Sequence, residues 1–352
     1  MNEEVKPDQV LSFHELVSDS ATPPYFKLFS FQRRLSRVPV FLRSLLLGPF
    51  FYVVFYGMAM LLEGDIPDSA LLVMAILSGG ISSVLVLTTN SYQKSIEAVD
   101  HIASIMTSEE QIIELKDDFC NIFVRPSQSW FSLGFSIFIT LAAFSMGFML
   151  PDMIAFVLYL FLFVAIFIAG YMLWMSGAAI FWSWKLSRNG PYRLSHVPSK
   201  TVGIRKLSRL VGTYSLSFSL VICLGLLLFY TTPWANMVAY QYVESFIVYP
   251  FIAYTLIFIL LPQIFIRKVI VDEKDKVLIG LENKMHNLDI LESNFSKDLY
   301  QRYKNMNDFY NEILSTSDYA LDFGTIGKFL SSLIFPITLT IMQQPEILDF
   351  LK

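Results

Sequence analysis

The most regularly spaced polar side chains in this sequence lie in LSGGISSVLVLTTN, residues 77–90. Ser78 and Ser82 are small residues four apart, as are Gly79 and Ser83, with Thr88 further along the same segment. Two chemistries suit that spacing. Hydroxyls arranged around an axis by several copies of one helix solvate a permeant ion, while the intervening apolar residues form a dewetting gate. The same small residues also let two helix backbones approach closely. A second pattern, Pro250, Pro262 and Gln263, has the parts of a cation site built on a broken helix. The prolines free backbone carbonyls and the amide adds a side chain; the simpler reading is a proline kink in a packed helix. Ser215, Ser219 and Cys223 make another small-residue stripe, suited to packing.

Catalytic patterns are otherwise missing. The sequence has no GxxxxGK[ST], no GxGxxG and no HExxH. His14, His101, His196 and His286 are far apart and suggest no metal site. Glu109 and Glu110 resemble an acid pair, but they stand where a helix begins, and carboxylates favour that end of the macrodipole. Ser83 and Ser176 lack a His or Lys in any apolar run to activate them as nucleophiles. Cys120 falls in a polar segment and Cys223 in an apolar one, which argues against a disulfide. The chain therefore reads as a non-enzyme without cofactor or metal.

The elements that position these residues follow from composition. Of 352 residues, 54% are hydrophobic and only 16% charged, and the mean hydropathy is +0.53. Crossing a hydrocarbon layer takes about 20 apolar residues. Six runs meet that length, at 44–62, 69–89, 130–150, 153–182, 212–232 and 245–266, and none contains Asp, Glu, Lys, Arg or His. The fold class is thus all-α, a polytopic membrane protein built of three helical hairpins. No secretory signal peptide is evident, since the first residues are acidic and polar. The run at 323–342 contains Pro336 and reads either as a seventh span, with Lys328 reaching back to the interface, or as a re-entrant segment.

Charge sets the orientation. Before the first run stand Arg33, Arg34 and Arg37 among five basic residues, and the stretch 185–210 carries Lys185, Arg188, Arg193, Lys200, Arg205, Lys206 and Arg209 without an acid. The connections at 63–68, 151–152 and 233–244 hold no Lys or Arg. The positive-inside rule puts the N-terminus and the basic connections in the cytoplasm of a cell-membrane protein. The basic stretch is a topology determinant that also meets anionic lipid headgroups. It has no interleaved aromatic platform and is not read as a nucleic-acid surface.

The cytoplasmic parts are helical by pattern. Tyr92, Ile96, Val99, Ala103 and Met106 continue the second membrane helix as an apolar stripe. Thr107 with Glu110 suggests a capping box opening a helix through about residue 123. After the sixth run, Leu278, Leu281, Met285, Leu288, Phe295, Leu299, Met306, Phe309 and Ile313 follow one heptad register. They imply an amphipathic helix, or a pair hinged near 293–296, that packs on the protein itself or pairs between subunits as a coiled coil.

The expected organisation is a cytoplasmic tail at 1–40, hairpins at 41–90, 129–184 and 211–267, and a helical segment at 91–128. A basic loop at 185–210, amphipathic helices at 268–322 and the apolar C-terminal segment at 323–352 complete it. The function expected first is a homo-oligomeric, channel-like conduit gated from the cytoplasmic helices. The alternative is a non-conducting scaffold or sensor relaying a signal to a cytoplasmic protein partner, and a secondary transporter is the third reading. The lipid bilayer is a partner in all three.

Overall fold

In a computed structural model the chain is described over residues 40–123, 127–146, 153–188, 190, 192–195, 197–231, 249–287, 297–321 and 323–342. The elements are α1 (Val40–Glu63), α2 (Asp68–Ala103), α3 (Glu109–Phe123), α4 (Ser127–Ser145) and α5 (Met153–Leu186). A 3₁₀ turn (Pro198–Lys200) then leads to α6 (Val202–Thr231), α7 (Tyr249–His286), α8 (Lys297–Ser315) and α9 (Phe323–Met342). The described residues are helical apart from short connections, and α1, α2, α4, α5, α6 and α7 are each long and apolar enough to cross a membrane. Helix is what an apolar run must form in hydrocarbon, where an unpaired backbone group has no water to turn to.

α2, α5 and α6 make the centre of the bundle. α1 packs on α2 and α5, α4 on α5, α7 on α5 and α6, and α9 on α6 and α7. The most apolar stretches of α6 and α2 are 61% and 50% buried within the chain, against 22% and 17% for α1 and α4, so the latter two are the outer helices. Small residues set the tightest crossings. A methyl group on Gly170 of α5 would lie 2.9 Å from the Ser132 Cα of α4. Aromatic contacts fill the wider ones, with Phe55 of α1 stacked on Phe161 of α5 and Phe218 of α6 on Phe258 of α7, both at 4.3 Å. Gly64 ends α1 at φ +74°, a conformation only glycine adopts without strain, and its N–H bonds to the Met60 carbonyl at 3.1 Å.

Several boundaries differ from the sequence-based expectation. α2 does continue past its apolar run, as the stripe predicted, with Tyr92 and Val99 buried, but it ends at Ala103, and Met106 lies beyond it, buried in a bridge to Tyr192. The cap of α3 is shifted by one residue. The Ser108 hydroxyl accepts the Gln111 N–H at 3.2 Å, and the Gln111 side-chain oxygen accepts the Ser108 and Thr107 N–H groups at 3.4 and 3.2 Å. The reciprocal pair is thus Ser108/Gln111 rather than Thr107/Glu110. The basic stretch 185–210 is not a loop throughout. Its second half forms the first turns of α6, burying Gly203, Ile204, Leu207, Ser208 and Leu210 while Arg205 and Arg209 face outward. α7 is a single helix of 38 residues through Pro262, so no boundary separates membrane span from amphipathic extension at 267/268. At 1.5 Å per residue it is about 57 Å long, far more than a hydrocarbon layer of about 30 Å.

α8 folds back on the far end of α7, and Ile313 and Leu278 are buried there. Part of the heptad stripe is thereby satisfied within one chain. Leu288, Phe295 and the expected hinge at 293–296 lie outside the described residues. α9 is a continuous helix running parallel to α6. Thr325 lies against Gly212, the Lys328 Nζ donates to the Thr213 hydroxyl at 3.1 Å, and the Ser219 hydroxyl donates to the Ser332 carbonyl at 2.6 Å.

Candidate functional site

The small-residue face of α2 divides in two. On one side Ser78 and Ser82 meet α1, where Gly48 leaves room for them. A methyl group at Gly48 would fall 2.2 Å from both the Ser78 carbonyl oxygen and the Ser82 hydroxyl. The Ser82 hydroxyl donates to the Leu45 carbonyl at 2.8 Å, and Thr89 and Ser44 share a hydrogen bond at 3.3 Å. Thr88 turns toward α5, donating to the Val84 carbonyl at 2.7 Å with its oxygen 3.6 Å from the Met172 sulfur. On the other side Gly79 is exposed, Ser83 half-buried and Asn90 exposed. Nothing lies within 4 Å of where a Gly79 methyl would be. The two pairs that look equivalent in sequence therefore have different surroundings: Ser78 and Ser82 join α1 to α2, and Gly79 and Ser83 lie open.

Further along α2, a polar layer joins it to α6. Ser95 and Tyr214 share a hydroxyl–hydroxyl hydrogen bond, and the Tyr214 hydroxyl donates to the Ser91 carbonyl at 3.4 Å. Ser219, expected only as part of a packing stripe, holds α9 to α6 through Ser332. Pro262 sits inside α7, where its missing N–H leaves the Phe258 carbonyl without an i+4 donor. Gln263 beside it is buried, and among the described residues neither of its amide atoms has a hydrogen-bond partner. Pro250 falls in the first turn of α7, where no intrahelical N–H bond is lost. The helix is continuous between the two prolines, without the break that a carbonyl-lined cation site requires.

The basic residues take separate roles. Lys185 bridges α5 to α3 through Glu114 at 2.8 Å and through Asp118. Arg188 stacks on Trp184 at 4.4 Å, and Lys206 reaches Glu97 at 3.4 Å. Lys200, Arg205 and Arg209 are exposed. Arg193 is exposed as well, but its N–H donates to the Ile105 carbonyl at 2.7 Å, pinning the loop to the α2–α3 connection. Next to it the buried Tyr192 donates to the Leu186 carbonyl at 2.6 Å, and burial together with the nearby Glu273 charge pushes its phenol well above the usual range. Arg33, Arg34 and Arg37 lie outside the described residues.

The densest polar constellation was not visible in the sequence. Lys274 of α7 is buried, and its Nζ donates to the Leu314 carbonyl at 3.1 Å, the Thr316 carbonyl at 2.9 Å and an Asp318 carboxylate oxygen at 3.0 Å. These acceptors sit at the end of α8 and in the link to α9. A lysine there satisfies carbonyls that the helix end leaves unpaired and meets the negative end of its dipole. Arg267, two turns earlier on the same face of α7, lies 3.9 Å from the other Asp318 oxygen and over the Tyr319 ring at 5.4 Å. About two turns further along α7, Tyr310 of α8 donates to Glu282 at 2.7 Å, and that bond raises the phenol's pKa. Mechanically, the arrangement fixes α7, α8 and the start of α9 to one another. Comparison with protein-family models, curated proteins and solved structures finds no match to this chain.

Proposed function

We propose that this chain is a multi-pass protein of the cell membrane that relays a signal without conducting ions. Its N-terminus and basic face lie in the cytoplasm, and the α7–α8 hairpin is the part that meets a cytoplasmic protein partner. The observation carrying this reading is the Lys274 latch. A partner that moves α8 pulls on a buried lysine of α7 and on the link into α9, and α9 is bonded along α6 at the centre of the bundle. α9 is the seventh span in this reading. It runs parallel to α6 from the level of Gly212, the first residue of the expected fifth apolar run, and its 20 residues cover about 30 Å. The C-terminus then lies outside, so a cysteine placed at Phe350 reacts with an impermeant maleimide in intact cells. Protection there until lysis would return α9 to a re-entrant segment.

The relay is tested by breaking the latch and watching the membrane helix. In Lys274→Ala, hydrogen exchange at residues 328–335 of α9 should accelerate along with that of the α8 end. Unchanged protection of α9 would sink the coupling on which the relay depends. The conduit is the second reading, favoured by the open Gly79–Ser83–Asn90 face of α2, which several copies would turn toward a shared axis. Gly79→Trp is the informative substitution for it, because Ser82→Trp wedges α1 away from α2 and loses flux by damage alone. Liposome ion flux from wild-type protein that Gly79→Trp abolishes would replace the relay with a channel. The absence of flux from folded protein supports the relay.

A further inference from the structure

We propose that the cleft between α4 and α6 is a binding site for one acyl chain of a membrane phospholipid. The cleft has a volume of about 310 Å³ and is half-open, with α2 and α5 as its floor. That volume is at the lower end of the range for ligand sites, about 300–1,000 Å³. It lies in the half of the bundle remote from the basic residues. The lining comes from the third to fifth turns of α2, the last turns of α4 and α6, and the middle of α5. Each of these segments belongs to a helix long and apolar enough to cross a membrane, so the medium at the opening is hydrocarbon.

The lining specifies the occupant. Small residues from four helices, Gly80, Ala142, Ala165, Ala169 and Gly225, form the trough, and Phe135, Leu173 and Phe229 are its larger walls. No lining side chain carries a polar group, so an occupant must be apolar over its whole inserted length. At three tight crossings small residues close a gap: Gly48, Gly170 and Gly203 each have another helix's backbone or Cβ within about 3 Å of where a methyl would be. Here they do not. A methyl at Gly80 would meet just the Leu224 side chain at 3.7 Å, and one at Gly225 would meet nothing within 4 Å. A wholly apolar trough that opens to hydrocarbon suits an acyl chain rather than a headgroup. Left empty, it would deprive every lining side chain of contacts that a chain supplies.

The test uses the full-length protein in vesicles of phosphatidylethanolamine and phosphatidylglycerol carrying a diazirine in one acyl chain. After irradiation, adducts are mapped by peptide mass spectrometry. We expect them to concentrate on the cleft-facing parts of 76–84, 135–146 and 221–229, several-fold above the exposed α4 flank of Phe138, Leu141 and Phe144. Ala169→Leu and Gly225→Leu fill the trough and should each reduce cleft adducts to the flank level while flank adducts persist, which also shows that the variants are inserted and folded. Equal labelling of cleft and flank in the wild type would mean bulk lipid and overturn the proposal. So would an unlabelled cleft, the result if a second copy or another segment of the chain fills it, or cleft labelling that survives both substitutions.

Discussion

Two lysines tie an amphipathic helix to a membrane helix in this fold, and they do it differently. Lys185, at the end of α5, holds α3 through two carboxylates, and its side chain keeps 21% of its exposure, with Glu114 at 54%. Lys274, within α7, holds the end of α8 through two backbone carbonyls and one carboxylate at 9% exposure. The first is an ion pair that water can replace. The second satisfies main-chain carbonyls at a helix end and makes that end part of the bundle. Burial, rather than the number of charges, should decide which anchor is structural.

Removing Lys274 is therefore expected to have the largest effect. Breaking a fully buried ion pair costs about 3–5 kcal/mol. Asp318 keeps about a third of its surface in contact with water, so about 2–3 kcal/mol is the appropriate range for Lys274→Ala once that screening is allowed for. At 1.36 kcal/mol per tenfold, local opening of residues 313–319 should rise by about 30- to 150-fold, measured by amide hydrogen exchange in nanodiscs. An effect below about threefold, the size of an exposed pair, would mean that the two anchors are alike. Asp318→Asn keeps an acceptor but removes the charge shared by Lys274 and Arg267. It should cost about 1 kcal/mol, the scale of a single hydrogen bond.

The same contrast explains what could be read from the sequence. The six long apolar helices were legible because hydrocarbon tolerates about 20 uncharged residues in a row and little else, so runs of that length stand out. The extension of α2 was legible too, because Tyr92, Val99 and Ala103 keep a helical period, although the same period carried on to Met106, past the helix end at Ala103. The latch was not. Lys274 and Asp318 are ordinary charged residues 44 positions apart, and nothing local marks one for the other. The start of α6 was obscured by Arg205 and Arg209, although Ile204, Leu207 and Val211 beside them already mark a buried face. Ser78/Ser82 and Gly79/Ser83 have identical spacing, and which pair meets α1 depends on Gly48, a residue on another helix. The α4–α6 cleft is the extreme case. It is made of side chains that are missing, contributed by four helices whose juxtaposition no local pattern encodes.

The α5 anchor should yield the smaller, salt-dependent effects. Lys185→Ala is expected to cost at most about 1 kcal/mol, the scale of a partly exposed pair. Because the Debye length falls from about 10 Å at 0.1 M salt to about 3 Å at 1 M, high salt should erase most of that difference. The Lys274→Ala effect should persist under the same conditions. Within the pair, Asp118→Asn should cost more than Glu114→Gln, since the Asp118 side chain is 16% exposed against 54% for Glu114. Both are followed by exchange at 110–122.

Lys206 provides the lower limit of the series. It approaches Glu97 at 3.4 Å, with side chains 34% and 61% exposed, and so links α6 to α2 by a contact that sequence inspection would rank with the other two. Exposed pairs of this kind contribute about 0.2–1 kcal/mol when they contribute at all. Holding two long side chains in one geometry offsets much of that gain. Lys206→Ala should leave exchange at 97–103 and 203–209 unchanged within error at 0.1 M and 1 M salt alike. If it opened those turns as much as Lys185→Ala opens α3, exposure would not be ranking these contacts. The difference between the two anchors would then have to come from the backbone carbonyls at Lys274 alone.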